Sequence, residues 1–321
     1  MVKLKKTMKK IGKIFLCFLL VVALVNILAP LFCKKPDGKY AKNLQQTEFT
    51  SETAGAERIR CIDDNEEALL WRLRMIGTAK ESIVLSTFDL RADENGTKLL
   101  AALNHAADKG VKIQLLIDGI YQQLFLSGNS DFQALAAHEN VEVGVYNPVT
   151  PLNLFKLNYR MHDKYLIIDE KIYLLGGRNS NDIFLGDQTE DINVDRDILV
   201  YDTSEGKGES LLQLEDYFHK IWNEGCVSIR TRKQSSKYTD QYQNMEELYT
   251  SLLEKYNDIE TYSTWEKDTE EANKITLIHN GTQAGRKTRP AGFLRAQRPH
   301  LPRRAAQEPR NQESRTLYRT A

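Results

Sequence analysis

Residues 82–118 read SIVLSTFDLRADENGTKLLAALNHAADKGVKIQLLID. An almost wholly apolar run opens the stretch, and a second one closes it. Between them lies a segment whose leucines and alanines recur at helical spacing until Gly110. This predicts a strand over 82–90, a helix over 97–110 stopped by the glycine, and a strand over 111–118. Strands this apolar must be covered on both faces, and a helix-length crossover between two of them implies parallel pairing. The expected fold class is therefore α/β, a mixed, largely parallel sheet flanked by helices.

The same alternation continues outward. Residues 63–80 carry Leu69, Leu70, Leu73 and Ile76 behind an acidic start, an amphipathic helix with its cap at Asp64. Strands are expected at 141–148 and 197–202, a hairpin turning at Glu170 and Lys171, and a closing helix at 209–224. Together these make one complete lobe over 57–224. Residues 225–281 are polar and Tyr-rich, with a helix at 244–256 and a strand-like KITLIHNG at 274–281. They read as an inter-lobe linker and the start of a second lobe. The 282–321 tail holds nine arginines to one lysine and four of the eight prolines. Such a composition predicts disorder, and the abrupt change suggests a shift of reading frame, with a basic lipid- or nucleic-acid-binding tail as the other reading.

The zero net charge hides a polarised N-terminus. Residues 1–13 carry six lysines and no acid, and 14–33 are apolar except for Asn26. At about 1.5 Å per residue that run is roughly 30 Å long, enough to span a bilayer core. A cleaved signal is the competing reading, but the run is long for one and no small-residue cleavage site follows it. The lysines outnumber Lys34 and Lys35, so the basic N-terminus is expected in the cytoplasm. A single-pass membrane anchor, a stalk over 34–56 and an extracytoplasmic catalytic lobe follow. Cys61 and Cys226 lack metal-type spacing and are expected to be independent thiols.

Chemistry concentrates in YRMHDKYLIIDEKIYLLGGRN, residues 159–179. In an extended segment His162 and Lys164 share one side, while Met161, Asp163 and Tyr165 take the other. A neutral imidazole can attack phosphorus, and an adjacent ammonium can neutralise the phosphate oxygens as charge develops. Asp169 has the wrong parity to reach its own histidine, so pinning the hairpin or pairing with a cation is the easier role. Gly176 and Gly177 offer a turn where backbone amides could approach a phosphate, with Asn179 as a further donor. His105, His138, His219, His279 and His300 have no such company and read as structural.

His162, Lys164, Asp169, Gly176, Gly177 and Asn179 fit H-x-K-x4-D-x6-G-[GS]-x-N. This resembles the HKD motif of the phospholipase D superfamily, and the anchored layout is similar to its bacterial cardiolipin synthase-like members. The resemblance implies metal-independent, cofactor-free phosphodiester exchange on phospholipids, with one motif's histidine as nucleophile and a second motif's histidine as leaving-group acid. It also implies an orienting carboxylate on the strand after the glycine turn, with Asp197 as first choice and Asp195 as second. No second H-x-K-x4-D occurs in these residues. Either a homodimer supplies it, as in the superfamily's single-motif nucleases, or the chain is an inactive truncated half. A nucleic-acid partner is disfavoured by the near charge balance of the lobe.

Overall fold

The computed structural model describes residues 2–28, 31, 48–150, 154–186, 192–230 and 236–279. Residues 32–47 of the expected anchor end and stalk, and the tail from 282, lie outside them. The chain opens with α1 (Val2–Leu28), of which Lys5–Leu28 is long and apolar enough to cross a membrane. Then come β1 (Glu57–Ile62), α2 (Asn65–Gly77), β2 (Ser82–Thr87), α3 (Glu94–Asp108) and β3 (Lys112–Asp118). A helical turn and a π-helical turn (Gln122–Leu126) lead to α4 (Ser130–Leu135) and β4 (Val141–Tyr146). The second half holds β5 (Tyr165–Ile168), β6 (Ile172–Gly176), β7 (Asp197–Asp202), α5 (Glu209–Trp222), β8 (Val227–Arg230), α6 (Thr239–Lys255) and β9 (Glu270–Glu271).

Local chemistry explains the helix starts. Asp64 accepts from the Glu67 amide and caps α2, as its sequence position suggests. α3 begins three residues earlier than expected, over a D-E-N-G run that looks like a loop. Asp93 accepts from Gly96 N, and Asp182 accepts from the amides of Glu94 and Asn95. These tertiary acceptors satisfy the first-turn N–H groups that would otherwise be orphaned.

Among the described residues nine strands form one sheet in the order β8-β4-β3-β2-β5-β6-β7-β1-β9. Only the β2–β3 and β3–β4 pairs are parallel; every other neighbour is antiparallel. The sheet is thus mixed, and the expectation that it would be largely parallel is corrected. Between strands that are neighbours in the sheet, helical crossovers link β2 to β3 and β3 to β4, whereas β5 and β6 form a tight hairpin. There Lys171 N donates to Ile168 O, with Asp169 and Glu170 both at φ +50°.

Side-chain alternation sends Leu166 and Ile168 to one face, under α2, α3, α4 and α6, and Tyr165 and Ile167 to the other, under α5. Two cores explain why β5 is apolar at every position.

Residues 225–279 are not a linker. β8 extends the sheet beside β4, α6 packs on α3, and β9 pairs with β1. The expected fresh strand at 274–281 forms no second-lobe strand within the described residues. Ile275 and Leu277 are instead buried in the core beneath α5, and Leu277 N donates to Gln213 Oε1. Cys61 and Cys226 are both free thiols.

Candidate active site

His162 and Lys164 stand just ahead of β5, in extended backbone rather than in the ladder itself. They lie at the carboxyl ends of β2, β3 and β4, where the sheet changes from parallel to antiparallel pairing. Ligand sites of open α/β sheets gather outside such carboxyl ends, here at the switch from parallel to antiparallel pairing. The i,i+2 geometry holds. Lys164 Nζ lies 3.2 Å from His162 Nδ1 and donates to His162 O at 2.9 Å. On the opposite side Met161 enters the core, and Asp163 accepts from Tyr217 OH.

Lys164 is 6% exposed, His162 open to solvent. Burial pushes the lysine below its ordinary value, against the opposing pull of Asp163, Asp195 and Asp89. Desolvation, then the Lys164 charge, lower the His162 pKa, while Asp163 and Asp118 raise it. The net effect favours a neutral ring, the form with a free lone pair.

Sequence reasoning missed several neighbours. Phe88 meets the His162 ring edge-on at 4.5 Å and sits 5.3 Å below Lys164 Nζ. Tyr121 packs on Phe88, and Phe125 on Tyr121. Asp118, fully buried at the end of β3, accepts from Met161 N at 3.2 Å and pairs with Arg160 at 3.1 Å, steadying the backbone ahead of His162. The polar terminus of an apolar parallel strand was the signal that could have found it.

The remaining motif residues divide. Asn179 is buried, and its Oδ1 has no partner among the described residues. A polar atom left so is costly unless something else fills it. Asp169 is not brought to His162, and its grouping with the catalytic residues is corrected. It sits at the far end of the hairpin, where its carboxylate accepts from the amides of Lys80, Glu81 and Ser82, each at 2.8 Å.

The glycines do not present free amides, contrary to expectation. Gly176 N donates to Lys164 O, and Gly177 N to Arg196 O. Their missing side chains instead make room for acids. A Cβ on Gly176 would lie 1.8 Å from Asp197 Oδ1, and one on Gly177 would lie 2.0 Å from Asp195 Oδ2.

Asp197, the first choice for orienting the histidine, is corrected as well. It is wholly buried, with Oδ2 at 2.9 Å from Arg72 and 3.4 Å from Arg178. Arg178 is itself sealed in, donating to Asn65 Oδ1, Ile62 O and Asp63 O. Asp197 therefore closes a structural ion cluster. Asp195, two residues earlier, reaches the site electrostatically, being among the acids that raise the Lys164 pKa.

Three of the other four described histidines are engaged elsewhere, and His219 lies on α5 against Phe218. His105 bridges Glu246 and Glu260, His138 pairs with Asp108, and His279 packs on Tyr217.

A mixed sheet with helices on both faces, carrying an HKD motif at its switch point, defines a class. Residues 73–222 match the family described as cardiolipin synthase, PLD-like domain. The chain belongs to the phospholipase D superfamily.

Among its relatives is cardiolipin synthase C of Escherichia coli, 27% identical over 183 residues, covering 54% of this chain and 36% of that protein. The cardiolipin synthase of Clostridium perfringens is 33% identical over 162 residues, 49% of this chain and 32% of its own. Among solved structures, the phosphatidylserine synthase of Haemophilus influenzae aligns with a TM-score of 0.47 at 16% identity, covering 68% of this chain and 48% of that one. The chain spans less than half the length of the curated relatives it matches.

Proposed function

We propose that this chain is a membrane-anchored phospholipase D-type phosphatidyltransferase or phosphodiesterase that works through a phosphohistidine at His162. The observation that carries the reading is the His162–Lys164 pair, a ring biased toward neutrality 3.2 Å from a buried ammonium. His162 Nε2 attacks phosphorus, the bond to the leaving alcohol breaks, and that alcohol takes a proton from an acid. Water or a second lipid's hydroxyl then attacks phosphorus and releases the ring. Lys164 and the Asn179 Nδ2–H donate to the non-bridging oxygens, while a hydroxyl of the substrate can donate to the unpartnered Asn179 Oδ1.

For Nε2 to attack, Nδ1 must carry the ring proton, so Lys164 has to leave it. A bound phosphate gives the ammonium a stronger acceptor. Asp195 is then the carboxylate that holds the ring, Asp197 being committed to its arginines. The acid must come from a second histidine, since one ring cannot flank phosphorus on both sides. Pairing of two copies across a two-fold axis, each supplying His162, meets that need.

Trapping tests the reading. Full-length protein quenched during turnover of phosphatidylglycerol labelled in the phosphate should retain an acid-labile, base-stable label, absent from His162→Ala. Turnover without such a label would overturn the covalent path, and turnover by a soluble monomer would overturn the pairing.

A further inference from the structure

Asn26 is the one strongly polar residue in the apolar 14–33 run. An amide there is costly in hydrocarbon unless it finds partners. On one loop the amide finds two partners and the residue's backbone carbonyl a third. Asn26 Nδ2 donates to Leu154 O at 2.9 Å, its Oδ1 accepts from Leu157 N at 3.1 Å, and its own carbonyl accepts from Asn158 Nδ2. One turn back Val22 is buried at 7% exposure, and a further turn back the Phe18 ring meets Phe155 at 6.3 Å. Positions 18, 22 and 26 form a single stripe of α1. The loop ends a few residues before His162.

We propose that this loop is seated in the bilayer alongside α1, holding the mouth of the site at the headgroups of the leaflet where α1 ends. The domain then takes its phosphodiester from bilayer phospholipid. This deepens the function proposed above and rests on it for the chemistry, but not for the seating.

Irregular backbone survives in hydrocarbon only where protein satisfies its polar groups, and Asn26 does so for Leu154 and Leu157. The loop's own side chains at Leu154, Phe155 and Leu157 are apolar. The surrounding rim agrees. Beyond residue 48, the large apolar side chains left exposed among the described residues include Leu124, Phe125, Phe155, Ile192 and Val194. All five lie in connections between strands at the sheet end that carries His162, and only Leu212 and Ile229 are so exposed elsewhere among the described residues beyond 48. Leu124 and Val194 are 68% and 79% open. These are separate knobs on different connections, one of which, Phe155, touches a helix whose other faces are bare, which suits a fluid bilayer better than a protein surface.

The test uses full-length protein in vesicles of phosphatidylglycerol and phosphatidylcholine with brominated acyl chains. A Phe155→Trp variant should lose its added emission, parent signal subtracted, when the bromines are present. Adding Asn26→Leu keeps the helix apolar and should abolish that quenching while vesicle flotation is unchanged. Asn26→Leu alone should lower turnover of vesicle phosphatidylglycerol and spare that of bis(p-nitrophenyl) phosphate. Emission untouched by bromine in Phe155→Trp, or quenching indifferent to Asn26→Leu, overturns the seating. Quenching as expected in a protein that turns over neither substrate leaves the seating in place and removes the proposed chemistry.

Discussion

The two ends of the β5–β6 hairpin treat their polar groups in opposite ways. At the turn end Asp169 receives three backbone amides and is fully matched. At the open end the Asn179 carbonyl has no partner, the Lys164 ammonium is held below its ordinary pKa, and the His162 ring is biased toward neutrality. One end spends its polar groups on holding the fold. The other withholds them, as a site does that must engage a ligand. The motif's spacing thus joins residues with separate duties, about 17 to 23 Å of extended chain apart at roughly 3.3 Å per residue.

The sharpest way to break this contrast is at His162. His162→Ala should lower turnover more than about a thousandfold with an unchanged melting temperature. A large loss of stability would mean that the open end is structural too.

Next comes the pair of acids beyond the glycines. Asp197→Ala leaves two buried guanidiniums without their counter-ion, which should cost about 3–5 kcal/mol in chemical denaturation. Asp195→Asn should leave the denaturation midpoint in place and reduce turnover. The reverse pattern would return the orienting role to Asp197. At the turn end, Asp169→Ala removes the acceptor of three amides and should cost about 1–2 kcal/mol, with turnover per folded molecule preserved.

Titration sharpens the open end further. With its pKa lowered, His162 is neutral above that point, so activity should rise with pH below about 6.5 and level off near neutrality. Lys164, also lowered, loses its charge as pH rises through a value below the ordinary 10.5, and activity should fall there. Lys164→Met removes a charge that depresses the ring, so the His162 imidazole resonances should titrate at higher pH than in the parent. A downward shift would separate the two residues.

The smallest effect belongs to neither end. Burial, then Glu170 and Asp216, push Glu215 up to about 7. A carboxyl raised on folding contributes stability below its unfolded pKa and loses it as pH climbs through the folded value. Glu215→Gln should therefore melt above the parent at pH 8 and no higher at pH 4.

Much of the hairpin was legible in the sequence because its signals are local. Period-two alternation put His162 and Lys164 together, the parity of Asp169 excluded it from its own histidine, and Asp64 marked its helix. What stayed hidden depends on who lies next to whom. Nothing within Tyr165–Ile168 says that β2 is its antiparallel neighbour, so the sheet looked more parallel than it is. The glycines read as a phosphate-binding turn because Asp195 and Asp197 arrive from about twenty residues downstream to fill the space they leave. Val227–Arg230 gave too short and too exposed a run to be recognised as a strand, and the pattern looked like a linker.

The position of β1 has a consequence in time. Among the described residues its partners are β7 and β9, and the first of these begins about 140 residues later, at Asp197. At about 5–20 residues per second, a ribosome needs roughly 7–28 seconds to supply that neighbour. Throughout that wait Ile59 lacks the core beneath α5 that it finally packs on, and the strand is open to any passing edge. Newborn chains stalled short of residue 197 should be cut by protease within β1, and those stalled well past 271 should resist; equal resistance would mean that something outside this fold shelters the strand.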